Sequence, residues 1–373
     1  MRARGFSLVE FMIAMTIGLF LVAGLVYLIA ETSRSRAEIE RSSRQIENGR
    51  YALDRIAEDL RHAGFLGEYY SIAETGGPSG FPASLSAAQP CATTIANLQA
   101  GMSLAIQGYD GGASVPSDLT TCLASADYQP GTDILVVRRA STSTICPVGK
   151  TCPTVVPATP VGTLVANQMY IQTTPLGDSL GFPILGLGPS AAPFILTLPA
   201  ANSTALPEKD APLRRYLVRI YFVSKCNVPA TGNPDDPCNG VTDDGGAPIP
   251  TLKMMEFGLD GTGNPGFRKI ALAEGIEQLQ FDYGIDTTAD GVADNFVMCD
   301  STTPCAVADW RNIVAVQVNL VARNAERSPS YVDDKTYSLG LKGYTTATND
   351  GYRRHAYTSL VRLNNIAMRL ESE

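Results

Sequence analysis

Only two histidines and one tryptophan occur in 373 residues, and no two of the eight cysteines form a C-x-x-C. Zinc needs closely spaced nitrogen and sulfur ligands. With His62 and His355 isolated, the cysteines read as disulfides and not as a metal centre. The lone Trp310 precedes a strand-like run at Ile313 and reads as core, not as a ligand platform. Positive charge is also scarce, with 29 basic against 37 acidic residues and a formal net charge of −8. Broad nucleic-acid binding wants a clustered basic face, so this balance argues against it and leaves room only for a small local patch. No internal repeat is visible. No proline falls between Glu31 and Ala63, so nothing breaks a helix there.

One long apolar run is present. Phe11 to Ala30 is twenty uncharged, mostly apolar residues, enough to span a bilayer as a helix. Glu10 stands just before it, where a carboxylate is costly and marks a specific partner. The basic leader is five residues long and ends in Gly5. No strong small-residue cleavage site follows the run; Leu28-Ile29-Ala30 before Glu31 is the nearest, and it is poor. That is not the layout of an ordinary secretory signal.

The string Gly5-Phe6-Ser7-Leu8-Val9-Glu10 resembles the cleavage and methylation motif of type IV prepilins. The resemblance implies a prepilin peptidase cutting after Gly5, methylation of Phe6, and an assembly role for Glu10. Gly5 lets a protease lie close to the backbone. The new Phe6 amine of one subunit would be neutralised by Glu10 of its neighbour, because either charge alone in hydrocarbon is so costly. A plain signal anchor has no need of this string.

Charge does not orient the span, since Arg2 and Arg4 precede it and Arg34, Arg36, Arg41 and Arg44 follow it. The cysteines do. Cys91, Cys122, Cys146, Cys152, Cys226, Cys238, Cys299 and Cys305 all lie beyond it, an even number suited to an oxidising compartment. The expectation is a single inner-membrane pass with the domain in the periplasm, and later the pilus surface. Proximity in sequence favours Cys146 with Cys152, Cys226 with Cys238 and Cys299 with Cys305, leaving Cys91 with Cys122.

Beyond the span the helix should continue. Ile39, Ile46, Leu53 and Leu60 recur every seven residues, with Ala52, Ile56, Ala57 and Ala63 on the same side. Gly49 is a weak point, and Gly64 and Gly67 are stop signals. Gly18 and Gly24 would serve either as bending points or as close-packing sites. The expected division is a leader (1–5), a long helix (6–64; 6–30 transmembrane or filament core, 31–64 amphipathic), a loop-rich β region with insertions (65–250), and a C-terminal antiparallel β region (251–373). In the middle, strand-like runs occupy Asp133–Arg138, Met169–Thr173, Phe194–Leu198 and Tyr216–Val223. In the last third, period-two alternation marks half-buried strands through Leu279–Ile285, Val314–Leu320 and Tyr357–Leu363. The fold class is α+β and pilin-like: a long N-terminal helix packed on an antiparallel sheet with disulfide-stapled insertions.

Three strings suggest chemistry. Asp286, Thr288, Asp290 and Asp294 place oxygens at positions one, three, five and nine of a calcium-type loop, with Gly291 at six. Val297 stands where the bidentate Glu belongs, so an Asp-rich hairpin turn reads equally well. Gly177, Ser179 and Gly181 match G-x-S-x-G, but Pro183 follows where a nucleophile elbow needs a helix. Gly186-Leu187-Gly188-Pro189 is a loop and not a dinucleotide turn. No enzymatic site is expected.

Two C-terminal strings, Arg353 to Asn365 and Gly275 to Gly284, also resemble PilW-type minor pilins. The resemblance implies a minor pilin that primes pilus assembly and sits at the tip. Its implied partners are other minor pilins, the major pilin, the inner-membrane assembly platform and a tip adhesin; cell adhesion and twitching motility are the activities such a filament serves. Glu10 suggests a place below the first subunit. The alternatives are a minor pseudopilin of a type II secretion system and a surface-binding adhesin subunit, in which tyrosines such as Tyr69, Tyr70, Tyr109 and Tyr128 contact a ligand.

Overall fold

A computed structural model describes residues 7–67, 89–152, 160–174, 183–198, 209–329, 331–345 and 350–371. The motif residues Gly5 and Phe6, the tyrosines Tyr69 and Tyr70, and the string Gly177 to Gly181 lie outside them.

Helix α1 (Leu8–Arg61) is continuous for 54 residues, roughly 81 Å at ~1.5 Å per residue. Ser7 caps it: its Oγ accepts from Val9 N–H, and Glu10 reaches back to Ser7 N–H at 2.9 Å. The chain turns away after His62, and Gly64 adopts a left-handed φ of 71° while its N–H donates to Arg138 O at 3.0 Å.

Two sheets carry the rest. The larger has eight strands: β1 (Ile106–Tyr109), β2 (Ile134–Pro147), β3 (Val161–Gly162), β4 (Met169–Gln172), β5 (Ile184–Leu187), β8 (Leu213–Ser224), β9 (Thr251–Leu259) and β10 (Pro265–Glu274), while β6 (Thr197–Leu198) and β7 (Lys209–Asp210) make a separate ribbon. Its spine is the antiparallel pair β2–β8. The other edge of β8 is shared, with Leu213–Arg215 pairing β4 and Arg219–Ser224 pairing β9. The smaller sheet runs β12 (Asn295–Val297), β11 (Ile276–Ile285), β13 (Ile313–Arg323), β16 (Arg354–Arg362), all antiparallel. A hairpin, β14 (Thr336–Leu339) with β15 (Lys342–Thr345), stands beside it. Among the described residues there are also three short α-helices, α2 (Ile95–Gly101), α3 (Val307–Arg311) and α4 (Asn364–Leu370).

The strands at Leu279–Ile285, Val314–Leu320 and Tyr357–Leu363 form, but the two central ones are not half-buried as expected: Gln280, Asp282 and Asn319 on the alternate face are buried too, with Asp282 accepting from Asn319 and from Leu341 N–H. The middle is more regular than its composition suggests. The runs at Asp133 and Tyr216 grow into strands of 14 and 12 residues, whereas Phe194–Leu198 shrinks to the two residues of β6. The β9–β10 hairpin was not legible as strands, and it joins the larger sheet.

One core lies between the sheets and the second half of α1. Ala52, Ile56 and Leu60 meet Val316, Val318 and Leu320 of β13, and Leu135, Tyr221 and Met254 of the larger sheet. The opposite face of the larger sheet is covered by Leu98, Met102, Leu119, Leu123 and Tyr128. All four disulfides close as proximity favours, with Cα separations of 5.6 Å for Cys91–Cys122, 5.9 Å for Cys146–Cys152, 5.9 Å for Cys226–Cys238 and 4.9 Å for Cys299–Cys305. Cys91 and Cys122 pack on the second core, stapling the segment that covers it.

The expected stripe on α1 holds only at its C-terminal end. Ile39 and Ile46 are exposed, and Gln45 and Gly49 take the buried positions instead. The reason is what the helix meets there. Gln45 donates to the backbone carbonyls of Ala322 at 2.6 Å and Arg353 at 2.9 Å, and Asn48 to that of Glu274 at 3.1 Å. A seam facing strand-end carbonyls rewards amides over aliphatic groups.

Candidate functional site

The two halves of α1 differ in what they touch. From Leu8 to Ala30 the apolar side chains face outward: Leu19, Phe20 and Tyr27 are 72–78% exposed. This is a helix long and apolar enough to cross a membrane, and none of its most apolar stretch is buried in the chain. Water would penalise so much bare hydrocarbon at about 25 cal/mol per Å². The helix therefore belongs in lipid or among other helices. Cβ atoms built at Gly18 and Gly24 meet nothing within 4 Å, so no contact inside the chain requires either glycine. Glu10 sits at the exposed start of this half, its carboxylate on the capping amide of Ser7.

The second half is locked to the sheets by buried charge. Asp59 is fully buried. It accepts from Arg219 at 2.6 and 2.8 Å, from Arg139 at 2.9 and 3.1 Å, and from the Tyr221 hydroxyl. Arg219 turns its remaining nitrogens to Glu256 of β9 at 2.6 and 2.7 Å. Burial by itself raises the Asp59 pKa, but the hydrogen bonds and charge of Arg219, with Tyr221 and Arg139, outweigh it and hold the carboxyl below the usual range. Asp133, between the sheets, is the opposite case. Its oxygens accept only backbone N–H groups, from Gly111 and Phe281 at 2.8 Å each, and burial pushes it up to about 7.

A second buried cation joins the strands at the other end of the smaller sheet. Arg354 donates to Glu277, Asp350 and Asp333, the last at 3.2 Å. Those hydrogen bonds and charges overcome its burial and raise its pKa. Neither cluster was among the sequence candidates. The available signal was charge inside otherwise apolar strand runs: Arg138-Arg139 in β2, Arg219 in β8 and Arg354 opening β16. Charge in such a place is tolerated only when paired.

The calcium-type residues sit in the turn joining β11 and β12. Asp286 is buried and its oxygens accept from the N–H groups of Thr288 at 3.0 Å, Ala289 at 2.7 Å and Gly291 at 2.7 Å. Asp294 accepts from Thr287 N–H at 2.7 Å, and Asp290 from Val292 N–H at 2.9 Å. Calcium would have to compete with these amides for the oxygens of Asp286. Among the described residues, the only grouping of metal-type ligands is Cys226, Cys238 and Asp243, and its two sulfurs are joined in a disulfide. His62 donates from Nδ1 to Glu58 O at 2.8 Å, and His355 lies edge-on to Tyr357 with ring centroids 4.7 Å apart. Trp310 is buried against Tyr283 with ring centroids 4.9 Å apart. Tyr128 is buried with its hydroxyl on Thr132 O, and Tyr109 takes a hydrogen bond from Gln107 at 2.7 Å.

Comparison with known proteins bears on both ends of the chain. Residues 240–365 match the family model of the type IV pilus-assembly protein W. Residues 1–26 match that of the prokaryotic N-terminal methylation motif. No curated protein matches. A type IV-like pilin from Thermus thermophilus is similar at 14% identity, over 40% of this chain and 79% of that one, with a TM-score of 0.17, a superposition too poor to carry weight.

Proposed function

We propose that this chain, a type IV pilus-related pilin of the PilW family, is a minor pilin that primes filament assembly and sits at the pilus tip. It is a structural subunit, not an enzyme. The observation that carries this reading is the division of α1. Its apolar half stands bare with Glu10 at the start, and its polar half is fastened to the sheets through Asp59. A helix so divided transmits force from a buried filament core to an outer domain.

Prepilin peptidase cuts after Gly5, Phe6 is methylated, and the chain waits as a single-pass inner-membrane protein with its domain in the periplasm. The assembly platform then lifts it into a filament with other minor pilins, the major pilin and a tip adhesin. Glu10 pairs with the Phe6 amine of the neighbouring subunit. Bulk supports the minor role, because roughly three hundred residues of outer domain would collide if repeated at every lattice position.

Quantitative mass spectrometry of sheared, purified filaments tests this. The expected result is a peptide beginning at methylated Phe6, at a low ratio to the major subunit. Processed chain found in membranes but never in pili would point to a secretion pseudopilus. An uncut Met1 terminus would overturn the reading.

A further inference from the structure

Where the far edge of β8 passes from β4 to β9, the larger sheet leaves a cleft of about 440 Å³. Its charge is unusual for so acidic a chain. Arg219, Glu256 and Arg268 are directly opposed across β8, β9 and β10, and directly opposed residues share a face. Glu256 is taken up by Arg219, and lies 3.6 Å from Arg215, too far for a strong hydrogen bond. Arg268 is exposed and has no partner among the described residues. Lys269, next along β10, directs its amine to Asp127 at 2.9 Å. Around Asp59 and Glu256, then, two carboxylates face four guanidiniums, those of Arg139, Arg219, Arg215 and Arg268. The surplus falls at the cleft, on Arg215 and Arg268.

The floor suits a ligand. Gly258 leaves it open: a Cβ there would stand 3.8 Å from Arg215 Nη2 and 3.8 Å from Gln168 Oε1. Gln168 is 5% exposed and lines the cleft, and Ile270 supplies an apolar wall. Guanidinium forks match planar and tetrahedral oxyanions. We propose that this cleft binds an oxyanion, a carboxylate, sulfate or phosphate, carried on a small partly apolar body such as an acidic sugar. Arg215 and Arg268 hold the anion and Gln168 orients it. The site does not depend on the pilus reading, and its failure would leave that reading untouched.

The test uses the full-length chain in neutral detergent. Phosphate, sulfate and glucuronate are titrated at an ionic strength held constant with chloride, and binding is followed by thermal shift and calorimetry. All three should raise Tm saturably. Arg268→Gln should weaken binding at least tenfold with Tm in chloride unchanged. Gly258→Asp, which puts a carboxylate beside Arg215, should do the same by a different route. Tighter binding of glucuronate than of sulfate would assign the site to a sugar acid, and equal binding to a free inorganic anion. No saturable shift beyond chloride, or two variants that bind like the unmodified chain, would overturn the proposal.

Discussion

Asp59 of the long helix and Arg219 of the larger sheet meet at 2.6 Å across 160 residues of sequence. Removing one partner of a buried pair strands the other, typically for about 3–5 kcal/mol. Asp59→Asn should therefore lose on that order in chemical unfolding, since Arg139 would lose its carboxylate partner and Arg219 would keep only Glu256. A loss below about 1 kcal/mol would show that the cluster does not fasten the helix.

The two buried aspartates should answer pH with opposite signs. An unfolded aspartate titrates near about 3.9. Asp59 titrates lower when folded, so its contribution is present in full above that value and is lost as pH falls through the folded pKa. Asp133 titrates near about 7 when folded, so its contribution is present in full below the unfolded value and is lost as pH rises toward 7. Stability measured from pH 4 to 7 should be less downward-sloping in Asp133→Asn than in the unmodified chain. An identical slope in both would refute the assignment.

Gly49 allows the Tyr357 ring of β16 to lie against the helix backbone. A Cβ there would lie 2.4 Å from Cε2 of Tyr357. Gly49→Ala should destabilise the outer domain by about 1–3 kcal/mol through overpacking. In Gly18→Ala or Gly24→Ala nothing is struck, and the helix gains up to about 1 kcal/mol of intrinsic propensity. Circular dichroism melts of the three variants in detergent would separate the two outcomes. A tolerated Gly49→Ala would mean that Tyr357 swings aside freely.

The disulfides should rank by the loop that each closes. Loop-closure entropy gives roughly 3.7 kcal/mol for the 31-residue separation of Cys91–Cys122, and roughly 2.2 for the 6-residue separations of Cys146–Cys152 and Cys299–Cys305. Paired Cys→Ser variants compared by thermal unfolding should follow that order. The reverse order would place native packing above chain entropy.

Glu10→Gln should leave the outer domain's melting untouched, because among the described residues the Glu10 carboxylate hydrogen-bonds only to the helix start at Ser7. Its effect should appear in assembly, as chain that accumulates in membranes and is depleted from sheared filaments. Filament levels equal to those of the unmodified chain would remove Glu10 from the docking step.

What the sequence determined by itself was whatever depends on neighbours in the chain. Twenty uncharged residues after Glu10 make a helix long and apolar enough to cross a membrane, because hydrocarbon demands an internally hydrogen-bonded backbone. Alternation through Leu279, Val314 and Tyr357 specified the strands of the smaller sheet, because successive side chains of a strand point to opposite faces. The short cysteine spacings likewise matched the bridges that formed. Tertiary structure alone decided which face of α1 is buried. Ile39 and Ile46 continued the apolar stripe on paper, yet Gln45 and Gly49 occupy the seam because carbonyls and the Tyr357 ring wait there. It alone brought Asp59 to Arg139 and Arg219, and left Arg268 without a partner among the described residues in the cleft that Arg215 also lines. Those relationships join residues far apart in sequence, and the low dielectric of the interior, absent from an unfolded chain, is what makes each of them count.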